Sequence, residues 1–305
     1  MTVTLIENFR AVFYTPFYAP IALGTYEAEG VDVRIVTSTT MARTIHALID
    51  GEGEVSWGGL SRLMNGMHSN PGRRPVAFCE LIARDPFFLL GRAPNPRFSF
   101  ADLLGRRVAT VSEVPAPWMC LSHDLRLAGI DPASVTRSPD RTMAENAAAL
   151  VAGNVDVIQV FQPHVHQLVS SGAAHIWCAA ANRGLASYTT LNTTRDFAGA
   201  RSDTLHRMAR AVLRAQQWIW RNDSRELARA VASFFPDLPP ETLEASFDGY
   251  KALGVWSRNP LVSRPGFEWI RDAAVADGRV RQHFSYEDCV DTRFATTAMS
   301  ALAGN

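Results

Sequence analysis

The sequence is almost without lysine, since Lys251 stands alone among 30 basic residues and the others are arginine. Schiff-base chemistry, including the pyridoxal kind, needs a lysine amine and so has a single candidate here. Cysteine is also scarce, and none of the four cysteines, at positions 79, 120, 178 and 289, forms a C-x-x-C pair. This spacing excludes a disulfide-stapled scaffold, and we expect buried thiols and no bound cofactor.

An excess of charge and long apolar runs are missing as well. The 30 basic residues balance 30 acidic ones, which leaves no overall field for nucleic acid or an anionic membrane. No stretch approaches the roughly 18 apolar residues of a membrane span, and the N-terminus lacks the pattern of an export leader. We therefore expect no nucleic-acid partner and no membrane span. The location is periplasmic if a leader has been removed, and a cytoplasmic location stays open.

Familiar catalytic motifs are absent too. The chain has no G-x-S-x-G, no phosphate-binding loop of the G-x-x-x-x-G-K type and no H-E-x-x-H. His164 and His166 form an H-x-H pair, but on the helix expected there two residues apart point to different sides. We therefore predict neither a catalytic residue nor a metal site from motifs.

Short β-rich runs alternate with helical patterns, and a glycine follows where each helix should end. In the first part of the chain we predict strands over 3–9, 31–36, 54–57 and 75–82, with helices over 17–28 and 40–49. Strand-helix-strand units in succession indicate parallel strands, with a ligand crevice at their carboxyl ends.

A loop over 93–98 with two prolines indicates a change to a second lobe. There we predict strands over 107–111, 155–161 and 175–179, and helices over 115–128 and 144–152, before a run over 188–194 returns to the first lobe. From residue 203 the pattern is mostly helical. The predicted lobes are therefore 1–87 with 189–305, and 88–188, with a ligand cleft between them.

The turns at which strands end carry the candidate binding residues. Backbone N–H groups at helix starts and flat aromatic rings suit a planar or anionic small molecule. The candidates on these turns are Tyr14, Phe17, Ser38, Thr39, Trp57, Gly58, Glu113 and Trp118. Each also has a simpler interpretation: helix capping for Ser38, Thr39 and Glu113, core packing for the rings, and a flexible turn for Gly58.

The order of several segments resembles type II periplasmic-binding-protein-like families, which include sulfonate, nitrate, taurine and thiamine-precursor binding proteins. The segments that carry the resemblance are Phe17-Tyr18-Ala19-Pro20, Glu29-Gly30-Val31-Asp32-Val33, Leu103 to Ala109, Leu150 to Val157 with Phe161-Gln162-Pro163, and Gly278 to Phe294. The resemblance implies two α/β lobes, each a mixed, mostly parallel sheet flanked by helices, joined by two crossing strands. It adds Gln162 and Tyr188 to the ligand contacts, although relatives carry glutamate where this chain has Gln162.

Two functions follow from the resemblance. The first is a solute-binding protein that captures a sulfonate, pyrimidine or aromatic acid by lobe closure, with an ABC transporter permease as its partner. The alternative is a cytosolic lyase or decarboxylase of ring acids on the same fold, in which Glu113, His46 or Arg84 does proton or charge work. Thiamine-pyrimidine synthases of this group need a lysine-bound pyridoxal phosphate and a cysteine-rich motif, and this chain has no cysteine cluster.

Overall fold

The computed structural model describes residues 2–40, 43–67 and 71–303, and their strands form two sheets. The strands are β1 (Thr2–Glu7), β2 (Asp32–Thr37), β3 (Val55–Gly58), β4 (Pro75–Ile82), β5 (Phe88–Gly91), β6 (Val108–Ala109), β7 (Val157–Val160), β8 (His175–Ala179) and β9 (Thr189–Thr194). The first sheet has the order β2-β1-β3-β9-β4, and the second has the order β6-β7-β5-β8. We call the two sheets, with their flanking helices, lobe 1 and lobe 2.

Helices flank both sheets. They are α1 (Thr15–Ala22), α2 (Thr25–Ala28), α3 (Thr44–Asp50), α4 (Leu60–Gly66), α5 (Ala116–Leu127), α6 (Met143–Val151), α7 (His164–Ser170), α8 (Arg195–Ala200), α9 (Ser202–Arg221), α10 (Ser224–Val231), α11 (Pro240–Ala252), α12 (Arg264–Ala276), α13 (Tyr286–Cys289) and α14 (Arg293–Ala303). None of the helices within the described residues is both long and apolar enough to cross a membrane.

The two-lobed α/β architecture predicted from the sequence is confirmed, but the sheets are less parallel than expected. Strands β1, β2 and β3 pair in parallel, as do β6 and β7. The pairs that involve β9 or β5 are all antiparallel. The chain enters lobe 2 along β4 and β5 and returns along β8 and β9 in the opposite direction, so β9 lies antiparallel to β4 and β8 lies antiparallel to β5.

Two predicted helices differ from the observed ones. The helix expected over 17–28 is divided into α1 and α2 by Gly24, whose φ of +65° is left-handed. The helix expected over 40–49 begins at Thr44, so Ser38 and Thr39 lie before it and do not cap it. The Ser38 hydroxyl instead donates to the Thr40 carbonyl at 2.8 Å. Local turn geometry, which hydrophobic spacing does not encode, decides both boundaries.

Two segments, 83–87 and 180–188, connect the lobes and run side by side. The Ala186 N–H donates to the Ala83 carbonyl at 2.8 Å, and the Ala180 N–H donates to the Phe87 carbonyl at 2.9 Å. We call these two segments the hinge. Backbone pairing between the segments makes the hinge one connected element rather than two independent linkers.

A buried ion cluster ties the hinge to lobe 2. The Arg183 guanidinium donates to Asp85 Oδ2 at 2.6 Å, which joins the two hinge segments. It also donates from Nε to Asp124 of helix α5 at 2.9 Å. The ring of Trp269 on α12 lies under the same guanidinium, 4.7 Å from its central carbon to the ring centroid. Since α12 also packs on α4 of lobe 1, the C-terminal helices contact both lobes.

Candidate functional site

A cleft between the lobes holds two connected chambers. The inner chamber has a volume of about 30 Å³ and is lined by Asn8, Phe9, Phe13, Tyr14, Gly59, Ser61, Arg62, Phe87, Val114, Ala116, Tyr188 and Thr189. The outer chamber has a volume of about 260 Å³ and is lined by Ile45, His46, Ser61, Arg62, Asn65, Glu113, Pro115 and Arg279. Ser61 and Arg62 line both chambers. Residues from lobe 1, the hinge and lobe 2 therefore meet around one space.

Aromatic rings form the wall of the inner chamber. The ring centroids of Phe13 and Tyr14 are 4.1 Å apart, and those of Phe87 and Tyr188 are 6.3 Å apart. Burial raises the pKa of both phenols, that of Tyr188 well above its ordinary value, so both hydroxyls keep their protons and can donate to a ligand. Flat rings and phenol donors together suit the acceptor group of a planar molecule, but a space of about 30 Å³ admits only a few of its atoms, and the rest would extend into the outer chamber.

Asn8, directly after strand β1, positions the polar part of the inner chamber. Its side-chain oxygen accepts a hydrogen bond from the Arg62 guanidinium at 2.7 Å and another from the Thr44 hydroxyl at 3.2 Å. Its amide nitrogen donates to the Tyr14 hydroxyl at 3.4 Å. One amide thereby orients a cation from α4 and a phenol that precedes α1. Both groups face the same small space.

Arg62 is the cation at the junction of the two chambers. Burial lowers the pKa of its guanidinium, Tyr14 and Tyr188 oppose that change, and the nearby Arg279 adds to it. A guanidinium held away from water favours the approach of an anion, because an opposite charge compensates for the lost hydration.

The outer chamber is polar, and lobe 2 contributes a carboxylate to it. Glu113 precedes α5, and its Oε1 accepts a hydrogen bond from the Met143 N–H, where α6 begins, at 3.0 Å. His46 contributes an exposed imidazole from α3 on the opposite side.

Of the residues predicted from sequence, the structure brings Tyr14, Tyr188 and Glu113 to the chambers. Phe17 and Trp57 are buried behind Tyr14, where their rings stack with centroids 4.8 Å apart. Trp57 and Gly58 instead line a separate cavity of about 10 Å³, next to Arg62. The described lining of the two chambers thus includes neither Phe17, Trp57 nor Gly58.

The other predicted residues lie outside the chambers. Ser38 and Thr39 follow strand β2 at the edge of the first sheet, and Thr39 is exposed. The Trp118 ring packs against the small second core of lobe 2, under Arg137, whose guanidinium carbon is 4.3 Å from the ring centroid. Gln162 is buried, and its side-chain oxygen accepts from the His166 N–H at 2.9 Å. Its role here is to support the start of α7.

Two residues weighed for enzyme chemistry also lie away from the chambers. The Arg84 guanidinium, in the hinge, donates to the Leu253 carbonyl at 3.3 Å. The Lys251 ammonium donates to the Asn222 carbonyl at 2.8 Å, on the C-terminal helices. Within the described residues no group of three His, Cys, Asp or Glu side chains could hold a metal ion.

Sequence reasoning missed Arg62, Asn8 and the phenylalanines of the inner chamber. Two signals could have found the polar pair. Asn8 is the first residue after a strand, at the edge where parallel strands present their carboxyl ends. Arg62 is a single charge in the first turn of an otherwise uncharged helix that follows the Gly58-Gly59 turn.

One curated relative covers almost the whole chain. The "Putative binding protein YtlA" of Bacillus subtilis (strain 168) is 24% identical over 301 residues, which span 98% of this chain and 90% of that protein.

Solved structures share the fold at low identity. The alkanesulfonate-binding protein SsuA of Xanthomonas axonopodis pv. citri, bound to MOPS, has a TM-score of 0.72 and 16% identity over 95% of this chain and 98% of its own. The periplasmic nitrate-binding protein NrtA of Synechocystis PCC 6803 has a TM-score of 0.71 and 15% identity over 100% of this chain and 89% of its own. The desulfurization enzyme DSZB has a TM-score of 0.67 and 16% identity over 99% of both chains. Identities this low establish the fold alone.

The family itself follows from a match to a family model. The model described as NMT1/THI5 like matches residues 12–225, which is more than two thirds of the chain. The matched range includes the described lining of both chambers except Asn8, Phe9 and Arg279. The protein therefore belongs to the NMT1/THI5-like family and has the two-lobed fold that the sequence resemblance implies.

Proposed function

We propose that this chain is the solute-binding protein of an ABC-type uptake system, and that it captures a small, planar, anionic organic molecule in its cleft. The observation that carries the proposal is the placement of Arg62. Among the described residues that line the inner chamber, Arg62 is the one that carries a formal charge. Because it is held there by Asn8 and surrounded by rings, an anionic group on a flat ligand would find both its counter-charge and its stacking surfaces.

Two kinds of contact in the inner chamber would contribute to the affinity for such a molecule. Micromolar binding requires about 8 kcal/mol. Each hydrogen bond to a charged group contributes about 1.5–3 kcal/mol, and burial of a ring adds about 25 cal/mol for each Å² of apolar surface. Two bonds from Arg62 would therefore contribute about 3–6 kcal/mol toward this figure, contact with the rings of Tyr14 and Tyr188 would add to it, and the cost of association would oppose both.

The hinge supports capture by lobe closure. The chamber walls come from lobe 1, from lobe 2 through Val114 and Ala116, and from the hinge through Phe87 and Tyr188. A ligand in this position would touch every part that moves, so its binding energy would favour the closed arrangement. An extracytoplasmic location and a permease partner belong to this proposal. SsuA and NrtA, which share the fold, are named as an alkanesulfonate-binding protein and a periplasmic nitrate-binding protein.

The test is native mass spectrometry of freshly purified protein, followed by thermal-shift titration with organic sulfonates and aromatic carboxylates. We expect a retained small molecule or a stabilising anion in the wild-type protein, and a loss of affinity of tenfold or more in Arg62→Gln. Arg97→Gln, which removes the same charge from an exposed loop of lobe 2, is the matched control and should bind as the wild type does. Equal binding by Arg62→Gln contradicts the proposal, as does a wild-type protein that neither retains a small molecule nor is stabilised by any of these anions.

A further inference from the structure

The two walls of the outer chamber carry opposite charges. Lobe 1 and the C-terminal segment contribute Arg62 and Arg279, whereas lobe 2 contributes the carboxylate of Glu113. Part of the Arg279 charge is already balanced, because its Nε lies 2.7 Å from Asp277 Oδ2. Arg62, which is bound to Asn8, and Glu113 therefore place opposite charges along one space of about 260 Å³.

The Glu113 carboxylate has one oxygen in use and one that no described residue satisfies. Oε1 accepts from the Met143 N–H, while Oε2 is buried and accepts no hydrogen bond within the described residues. Buried polar atoms are nearly always hydrogen-bonded, and an unsatisfied carboxylate oxygen costs more than a neutral one. We therefore expect a hydrogen-bond donor to bind this oxygen.

The neighbouring imidazole of His164 donates no hydrogen bond to this oxygen. Burial lowers the pKa of His164 below its ordinary value, and the influence of Glu113, which raises it, is smaller. The imidazole is therefore neutral at pH 7 and does not balance the carboxylate as a cation.

We propose that the ligand of this cleft is dipolar, with an anionic group that binds Arg62 and an ammonium or N–H donor group that binds Glu113. This inference rests on the proposed function and adds a class of ligand to it. A plain anion would bring negative charge toward the Glu113 wall as the lobes close, whereas a dipolar ligand satisfies both walls at once. Glu113 thereby becomes the residue that selects among anions.

The test compares two probes that differ only in the donor group, para-(aminomethyl)benzoate and para-methylbenzoate. Both are flat carboxylates, and only the first carries an ammonium at the far end of the ring. Isothermal titration calorimetry at pH 7 measures their dissociation constants for the wild type, Glu113→Gln and Glu241→Gln. The last variant removes an exposed carboxylate on α11, outside the described chamber lining, and serves as the control.

We expect the wild type and Glu241→Gln to bind the aminomethyl probe at least tenfold more tightly than the methyl probe. In Glu113→Gln the ratio should fall below threefold, because the amide keeps an oxygen for the Met143 N–H but loses the charge. A wild-type ratio below threefold overturns the inference, as does an unchanged ratio in Glu113→Gln or no binding of either probe. If Glu113→Gln does not fold, the wild-type ratio alone decides.

These outcomes also separate this inference from the proposed function. If plain anions bind through Arg62 and the wild type shows no preference for the dipolar probe, the solute-binding proposal stands. Only the role of Glu113 is then removed. Failure of both probes together with failure of the anion titration of the Arg62 experiment counts against both proposals.

Discussion

Glu80 is expected to make the stability of this protein depend on pH near neutrality. The residue lies on β4, is fully buried, and accepts hydrogen bonds from the Ser257 hydroxyl at 3.0 Å and the Ser263 N–H at 3.2 Å. It also accepts one from the hydroxyl of Ser187, a hinge residue with a left-handed φ of +38°. Burial raises the pKa of Glu80 from 4.5 to about 7, although the hydrogen bonds oppose the change.

The sign and size of the effect follow from this pKa. The folded protein holds the Glu80 proton more tightly than the unfolded chain, so the contribution to stability is fully present below pH 4.5 and is lost as pH rises through 7. One pKa unit corresponds to about 1.36 kcal/mol, so the free energy of unfolding should fall by about 2.5 kcal/mol between about pH 5 and pH 8 from this group alone.

Urea unfolding of the wild type and Glu80→Gln at both pH values isolates that contribution. Other titrating groups act equally in the two proteins, so the difference between their free energies of unfolding reports Glu80. We expect this difference, wild type minus variant, to fall by about 2.5 kcal/mol as pH rises. A difference that stays constant to within about 0.5 kcal/mol would refute the reasoning, because Glu80 would then titrate alike in the folded and unfolded chain.

Two further predictions concern stability. Arg183→Met leaves Asp85 and Asp124 buried without their shared cation, so we expect a loss of about 3–5 kcal/mol in urea unfolding, and a loss below about 1 kcal/mol would contradict a buried ion cluster. Gly91→Ala places a methyl group against the indole of Trp177, which should lower the free energy of unfolding by about 1–3 kcal/mol in the same measurement. A variant as stable as the wild type would show that the indole can move aside at little cost.

The fold was largely predictable from local pattern. Strands predicted over 75–82 and 175–179 are observed at those bounds. The helix predicted over 115–128 is observed as Ala116–Leu127. Buried strands and one-sided helices carry their periodicity in the chain itself, and glycine marks their ends. The strand directions were less predictable, because the paths of β5 and β9 through the hinge set them.

Only part of the lining of the two chambers could be predicted from the sequence. Tyr14 and Glu113, predicted from their positions on turns, and Tyr188, added by the family resemblance, line the chambers. The rings of Trp57 and Trp118 instead pack into the cores of the two lobes. Residues at the end of a strand can point into the cleft or into the core behind it, and these alternatives look alike in sequence.

The sequence by itself predicted the α/β fold class with its two lobes and placed candidate binding residues on the turns at which strands end. Only the tertiary structure decided which side chains line the cleft, above all Arg62, which Asn8 holds between the chambers from 54 residues away. Periodicity depends on near neighbours along the chain and is visible in the sequence. A cleft is formed by residues that are distant in the chain, and only the packing of the lobes brings them together.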